Sequence, residues 1–69
     1  MRVGELVYIP SNVNLIKVKR DESLIPQKHL KTNEPISVLV TEISEDRMYL
    51  GVHFRGEVWY VNWRDVYED

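Results

Sequence analysis

The chain has no cysteine and no alanine, and among its 69 residues only three glycines, three prolines, two histidines and one phenylalanine. Each shortage excludes something. Without cysteine there is no disulfide scaffold, no thiol nucleophile and no cysteine-based zinc or iron–sulfur centre, and two histidines leave little for other transition metals. The missing alanine, the best helix former, runs against a helical bundle. No uncharged run approaches the roughly 20 apolar residues that span a bilayer, and Met1-Arg2 leads into no apolar signal region, so the expectation is a soluble, cytoplasmic domain without a membrane partner. Three scattered glycines do not cradle a phosphate.

What is present is β-branched. Ten valines and five isoleucines lose side-chain freedom in helices and pack well on a pleated surface. With 43% apolar residues in 8.2 kDa, the chain reads as a single all-β domain over residues 1–69.

The net charge is -2, which argues against a binder that relies on phosphate neutralisation. The charge is unevenly spread. Residues 17–31 hold Lys17, Lys19, Arg20, Lys28 and Lys31 against Asp21 and Glu22, while the remainder carries 4 basic and 9 acidic side chains. The basic window reads as a solvated loop whose lysines discourage strand pairing, or as a contact for an anion, a nucleic acid or an acidic partner.

Alternation sets the strands. Val3 to Ile9 is the first, with Val7 and Ile9 on one face and Leu6 and Tyr8 on the other, and Pro10-Ser11-Asn12 ends it. A long polar excursion follows from Val13 to Pro35. Leu15, Ile16 and Val18 suggest a short strand there, and Leu24, Ile25 and Leu30 suggest apolar anchors. Pro26 and Pro35 oppose a long helix but leave room for one turn around Ile25 to Leu30; a hairpin and a packed loop both remain open. Ile36 to Ile43 is the clearest strand, predicted to be central, with Ile36, Val38 and Val40 facing one way and Leu39 and Ile43 the other. After the polar Ser44-Glu45-Asp46, Met48, Leu50, Val52 and Phe54 alternate with Arg47, Tyr49, Gly51, His53 and Arg55. Arg55-Gly56 is a hairpin tip. A two-residue loop pairs Val52 with Trp59 and Leu50 with Val61, whereas a three-residue loop with a bulge faces Val52 toward Val58. The first is preferred, because it buries Trp59 and Val61 together and leaves Tyr60 beside Gly51 outside.

Gly56-x-x-Trp59-Tyr60-Val61, a four-residue turn and Val66-Tyr67 resemble the distal hairpin, 3₁₀ turn and closing strand of Src-homology-3-like (SH3-like) barrels. The resemblance implies a small barrel of five to six strands, with a long loop after the first strand and a short 3₁₀ turn before the last. It covers the whole chain as architecture and residues 47–68 as sequence. Tyr8 stands alone in the first strand, Tyr49 sits where a tryptophan is expected and Asn62 where a proline is, so the resemblance does not extend to proline-rich peptide binding. In size and style the chain is also similar to short orphan proteins of T-even-like bacteriophages that carry such a barrel, which implies a host protein as partner.

No catalytic constellation is visible. His29 and His53 have no serine or carboxylate at a telling spacing, and Glu45-Asp46 and Glu68-Asp69 are acids at a turn and a chain end, so no enzyme, cofactor or metal site is expected. The aromatics are the strongest signal. Phe54 and Trp59 read as core; Tyr8, Tyr49, Tyr60, Trp63 and Tyr67 read as surface, and His53 and Val58 extend the outer face that Tyr49 and Tyr60 share. Large rigid aromatic side chains commonly anchor interfaces, although Trp63 and Tyr67 equally suit plugs for the ends of a barrel. The expectation is a non-enzymatic interaction module that binds a protein, or a second copy of itself, through Tyr49, Tyr60, Trp63, Tyr8, Tyr67 and His53. The alternatives are a nucleic-acid-associated barrel using the basic window and a structural piece of a larger assembly.

Overall fold

The computed structural model describes residues 1–18 and 26–68, the side chains of residues 18 and 26–28 excepted. Its regular elements are seven strands, β1 (Leu6–Ile9), β2 (Asn14–Val18), β3 (Pro26–Lys31), β4 (Ile36–Ile43), β5 (Tyr49–Phe54), β6 (Glu57–Asn62) and β7 (Tyr67–Glu68), with a 3₁₀ turn at Trp63–Asp65. They form one antiparallel sheet in the order β3-β2-β6-β5-β4-β1-β7. The expected five to six strands are thus corrected to seven. The predicted long loop is a hairpin, and the single turn considered around Ile25 to Leu30 gives way to β3, in which Leu30 opposes Leu15. The outer strands β3 and β7 are not neighbours in the ladder, so it does not close into a barrel.

Alternation builds the core. Val7 and Ile9 from β1, Leu15 from β2, Val40 from β4, Leu50 and Val52 from β5 and Val61 from β6 are fully buried in one cluster with Val13, Val38, Trp59 and Val66. No second layer of structure covers these residues among the described ones, and a flat sheet would leave them wet. The sheet instead curls over its own inner face, as strand twist allows. Its shortest principal extent is 21 Å, against the ~10 Å that one flat sheet occupies.

The turns follow their chemistry. Arg55 and Gly56 both have positive φ, 53° and 77°, the signature of a two-residue loop matched to strand twist. Val52 opposes Trp59 and Leu50 opposes Val61, the register preferred from the sequence. Between β4 and β5, the Ser44 hydroxyl donates to the Asp46 carboxylate at 2.7 Å, and the Met48 N–H donates to the same carboxylate at 3.0 Å. Asn62 caps the 3₁₀ turn by accepting from the Arg64 N–H at 3.1 Å.

Two strand boundaries and one facing need correction. The first strand begins at Leu6, because Gly4 takes φ 90° and leaves Val3 61% exposed. Met48, predicted to alternate inward, lies in the turn and is exposed. Ile43 packs on the core instead of facing away from it, because the β4–β5 register shifts between Val40 and Glu42 and turns the end of β4 over.

Thr32 joins the excursion to the rest. Buried just after β3, it donates through Oγ1 to the Pro10 carbonyl at 2.8 Å and accepts the Val13 N–H at 3.0 Å. Its own backbone N–H donates to the Val13 carbonyl, and its carbonyl accepts from Asn12. This one residue fastens the end of β1, the start of β2 and the end of β3.

Candidate functional site

The outer face of the sheet is where alternation puts whatever the core does not use. Register across distant strands decides what meets there. Leu6 of β1 lies opposite Leu39 of β4, Leu39 opposite His53 of β5, and His53 opposite Val58 of β6. These four residues form an unbroken row across four adjacent strands, with Leu6 55%, Leu39 40% and Val58 39% exposed. Beside Leu6, Tyr8 faces Tyr67 of β7, and their rings stand 6.4 Å apart at 54°, a tilted aromatic pair. Contiguous apolar surface of this kind marks interaction sites more often than scattered single residues do.

The residues singled out from the sequence distribute unevenly around this row. His53 is part of it, and Tyr8 and Tyr67 border it. Tyr49 is exposed but pairs with Asn62, away from the row. Tyr60 is half-buried opposite Gly51 and donates through its hydroxyl to Glu42 at 3.0 Å. Trp63 packs partly buried against the core. The face is therefore centred on aliphatic side chains with tyrosines at its edge. Leu6 and Leu39 were visible as outward-facing by alternation; their alignment depends on β1–β4 pairing, which joins segments some thirty residues apart and leaves no local signal.

The basic window is less coherent. Lys17 reaches the Glu57 carboxylate in an ion pair, and Lys31 is exposed on β3. Lys19 and Arg20 lie outside the described residues, as does the side chain of Lys28. No group of three or more His, Asp or Glu side chains able to hold a metal occurs among the described residues.

A second feature lies where β2 meets β6. Ile16 pairs with Tyr60 there, and beside them a depression of about 480 Å³ opens, lined by Lys17, Thr41, Glu42, Gly56, Glu57, Val58 and Tyr60. Gly51 packs against three of these residues, Glu42, Thr41 and Tyr60. A Cβ there would come within 3.0 Å of Glu42 Cβ and 3.3 Å of Thr41 Oγ1, so any larger residue opposite the register shift in β4 would press its neighbours apart by a few tenths of an ångström.

The hydrogen bonds from Ser44 and from the Met48 backbone hold the Asp46 carboxyl below its ordinary value, in an exposed turn remote from both features.

Compared with protein-family models, curated proteins and solved structures, the chain matches none. What stands is a small all-β domain in one curled antiparallel sheet. No helix among the described residues is long and apolar enough to cross a membrane.

Proposed function

We propose that the chain is a non-enzymatic protein-interaction domain that docks a protein partner along the outer row Leu6, Leu39, His53 and Val58, with the Tyr8–Tyr67 pair as its aromatic border. The observation that carries this reading is the row itself, three aliphatic side chains and an imidazole aligned across four strands and exposed together. Burying such a surface releases about 25 cal/mol per Å² of apolar area, and aromatic side chains beside it add rigid contact at low entropic cost. Tyr49, Tyr60 and Trp63 serve as periphery or support.

The resemblance to SH3-like barrels belongs to the same proposal. The two-residue hairpin tip, the 3₁₀ turn and the short closing strand support it. The domain works in a cytoplasm, and the likeness in size and style to short T-even-like phage proteins makes a host protein the partner.

Leu39→Asp tests the docking, since Leu39 is exposed and its replacement leaves the core intact. Affinity capture from a host lysate and size-exclusion chromatography are compared between wild type and variant. The substitution is expected to abolish a captured protein or a self-associated form. An identical capture profile and oligomeric state, with the fold unchanged by circular dichroism, overturns the proposal.

A further inference from the structure

Position within the outer row singles out one of its members. His53 lies between Leu39 and Val58 of the neighbouring strands, and all three side chains are exposed on the same face. Histidine is also the residue type in the row and its tyrosine border that changes charge near neutral pH. The charged and phenolic groups around His53, among the described residues, lie off the row. On β4, Glu42 stands opposite Gly51, two positions along from His53, and accepts from the Tyr60 hydroxyl of β6 at 3.0 Å. Glu57 of β6 follows Val58 and is ion-paired with Lys17 of β2. On β5 itself, the Arg55 guanidinium sits over the Phe54 ring at 4.9 Å.

We propose that His53 gates the docking proposed above, on which this inference rests: the row accepts an uncharged, apolar partner surface while the imidazole is neutral and releases it when the ring takes a proton. The partner's chemistry follows from Leu6, Leu39 and Val58, which offer an acidic or basic patch nothing to pair with. The direction follows from desolvation. A partner laid over Leu39, His53 and Val58 takes the ring out of water, which a neutral imidazole tolerates and an imidazolium facing apolar groups does not. Docking is therefore stronger above the range in which histidines change charge and weaker below it.

Partition of the full chain between buffer and a phenyl-substituted matrix, an apolar surface without charge, tests the gate. The wild-type partition coefficient is expected to fall about tenfold between about pH 7.5 and about pH 5.5, with the fold unchanged by circular dichroism. His53→Leu should hold the high value at both, His53→Lys should show the low value already at the higher pH, and His29→Leu should keep the wild-type drop. A drop that survives His53→Leu, a His53→Lys variant that partitions like neutral wild type, or stronger partition in acid overturns the gate. Leu39→Asp separates this from the docking itself: it should lower partition at both pH values, and a Leu39→Asp variant that partitions like wild type overturns the docking and the gate together.

Discussion

The β4–β5–β6 meander and the β2–β3 arm are both antiparallel strand units, yet they are held in different ways. Within the meander, β5 and β6 align along six consecutive pairs and β4 meets β5 through four, around a loop with ideal turn chemistry. The arm is well paired within itself, and among the described residues it joins the rest of the sheet at the Ile16–Tyr60 rung, the Lys17–Glu57 ion pair and the hydrogen bonds of Thr32. Cohesion in so small a sheet is thus local. The meander is a unit that closes on near neighbours in sequence, whereas the arm depends on a few long-range fastenings and on Leu15 reaching the common core.

The sharpest way to break this contrast is to remove one fully buried leucine from each region. Leu50→Ala in β5 is expected to destabilise by about 2–5 kcal/mol, the usual range for a core leucine, and Leu15→Ala in β2 by an amount near the lower limit, because a strand next to the edge of the sheet can settle into the space. Denaturant melts compare them directly; equal losses would mean that arm and meander answer to the core as one body.

Next come two substitutions that act on backbone fit. Gly51→Ala should cost about 1–3 kcal/mol, since its methyl group has no room against Glu42 Cβ. Thr32→Val should cost about 1–3 kcal/mol by leaving the buried Val13 N–H without its side-chain acceptor. Hydrogen exchange separates them: Thr32→Val is expected to speed exchange across β2 and β3 before β5, and Gly51→Ala across β5 and its neighbours.

Smaller still is Lys17→Met. Both side chains of the ion pair are partly exposed, so less than about 1 kcal/mol should be lost, and the difference from wild type should shrink in high salt. A salt-independent loss would point to packing by the lysine stem.

The last concerns only the loop of the meander. The Asp46 carboxyl sits below its ordinary value in the folded chain, so its stabilising contribution is complete above the unfolded-state value of about 3.9 and is lost as the pH falls through the lower folded-state value. Asp46→Asn should remove that part of the acid dependence. The pH dependence of stability below pH 4 in wild type and variant measures it, and an unchanged acid limb would show that other carboxylates account for it.

The same contrast explains what could be read from the sequence. In β5 and β6 the buried side chains are all apolar and the loop carries glycine at one of its two positive-φ positions, so tip and register were legible. In β3 the sequence Pro-Gln-Lys-His-Leu-Lys has one large aliphatic side chain, Leu30, which packs on the core, and no apolar alternation betrays the strand. Pairing with β2 creates it. Ile43 misled for a related reason: strict alternation assumes an unbroken ladder, and the register shift after Val40 breaks it. The outer row was half legible, since His53 and Val58 belong to a local hairpin while Leu6 and Leu39 come together only once β1 finds β4.

The Met1 amine and the Glu68 carboxylate lie 3.1 Å apart although 67 positions separate them in sequence. The polypeptide enters and leaves its fold at nearly one point. Domains with adjacent ends accept circular permutation and insertion into the loops of other proteins. A short linker between residues 1 and 68, with a new opening at Arg55-Gly56, should preserve the sheet order while converting its tightest connection into free ends.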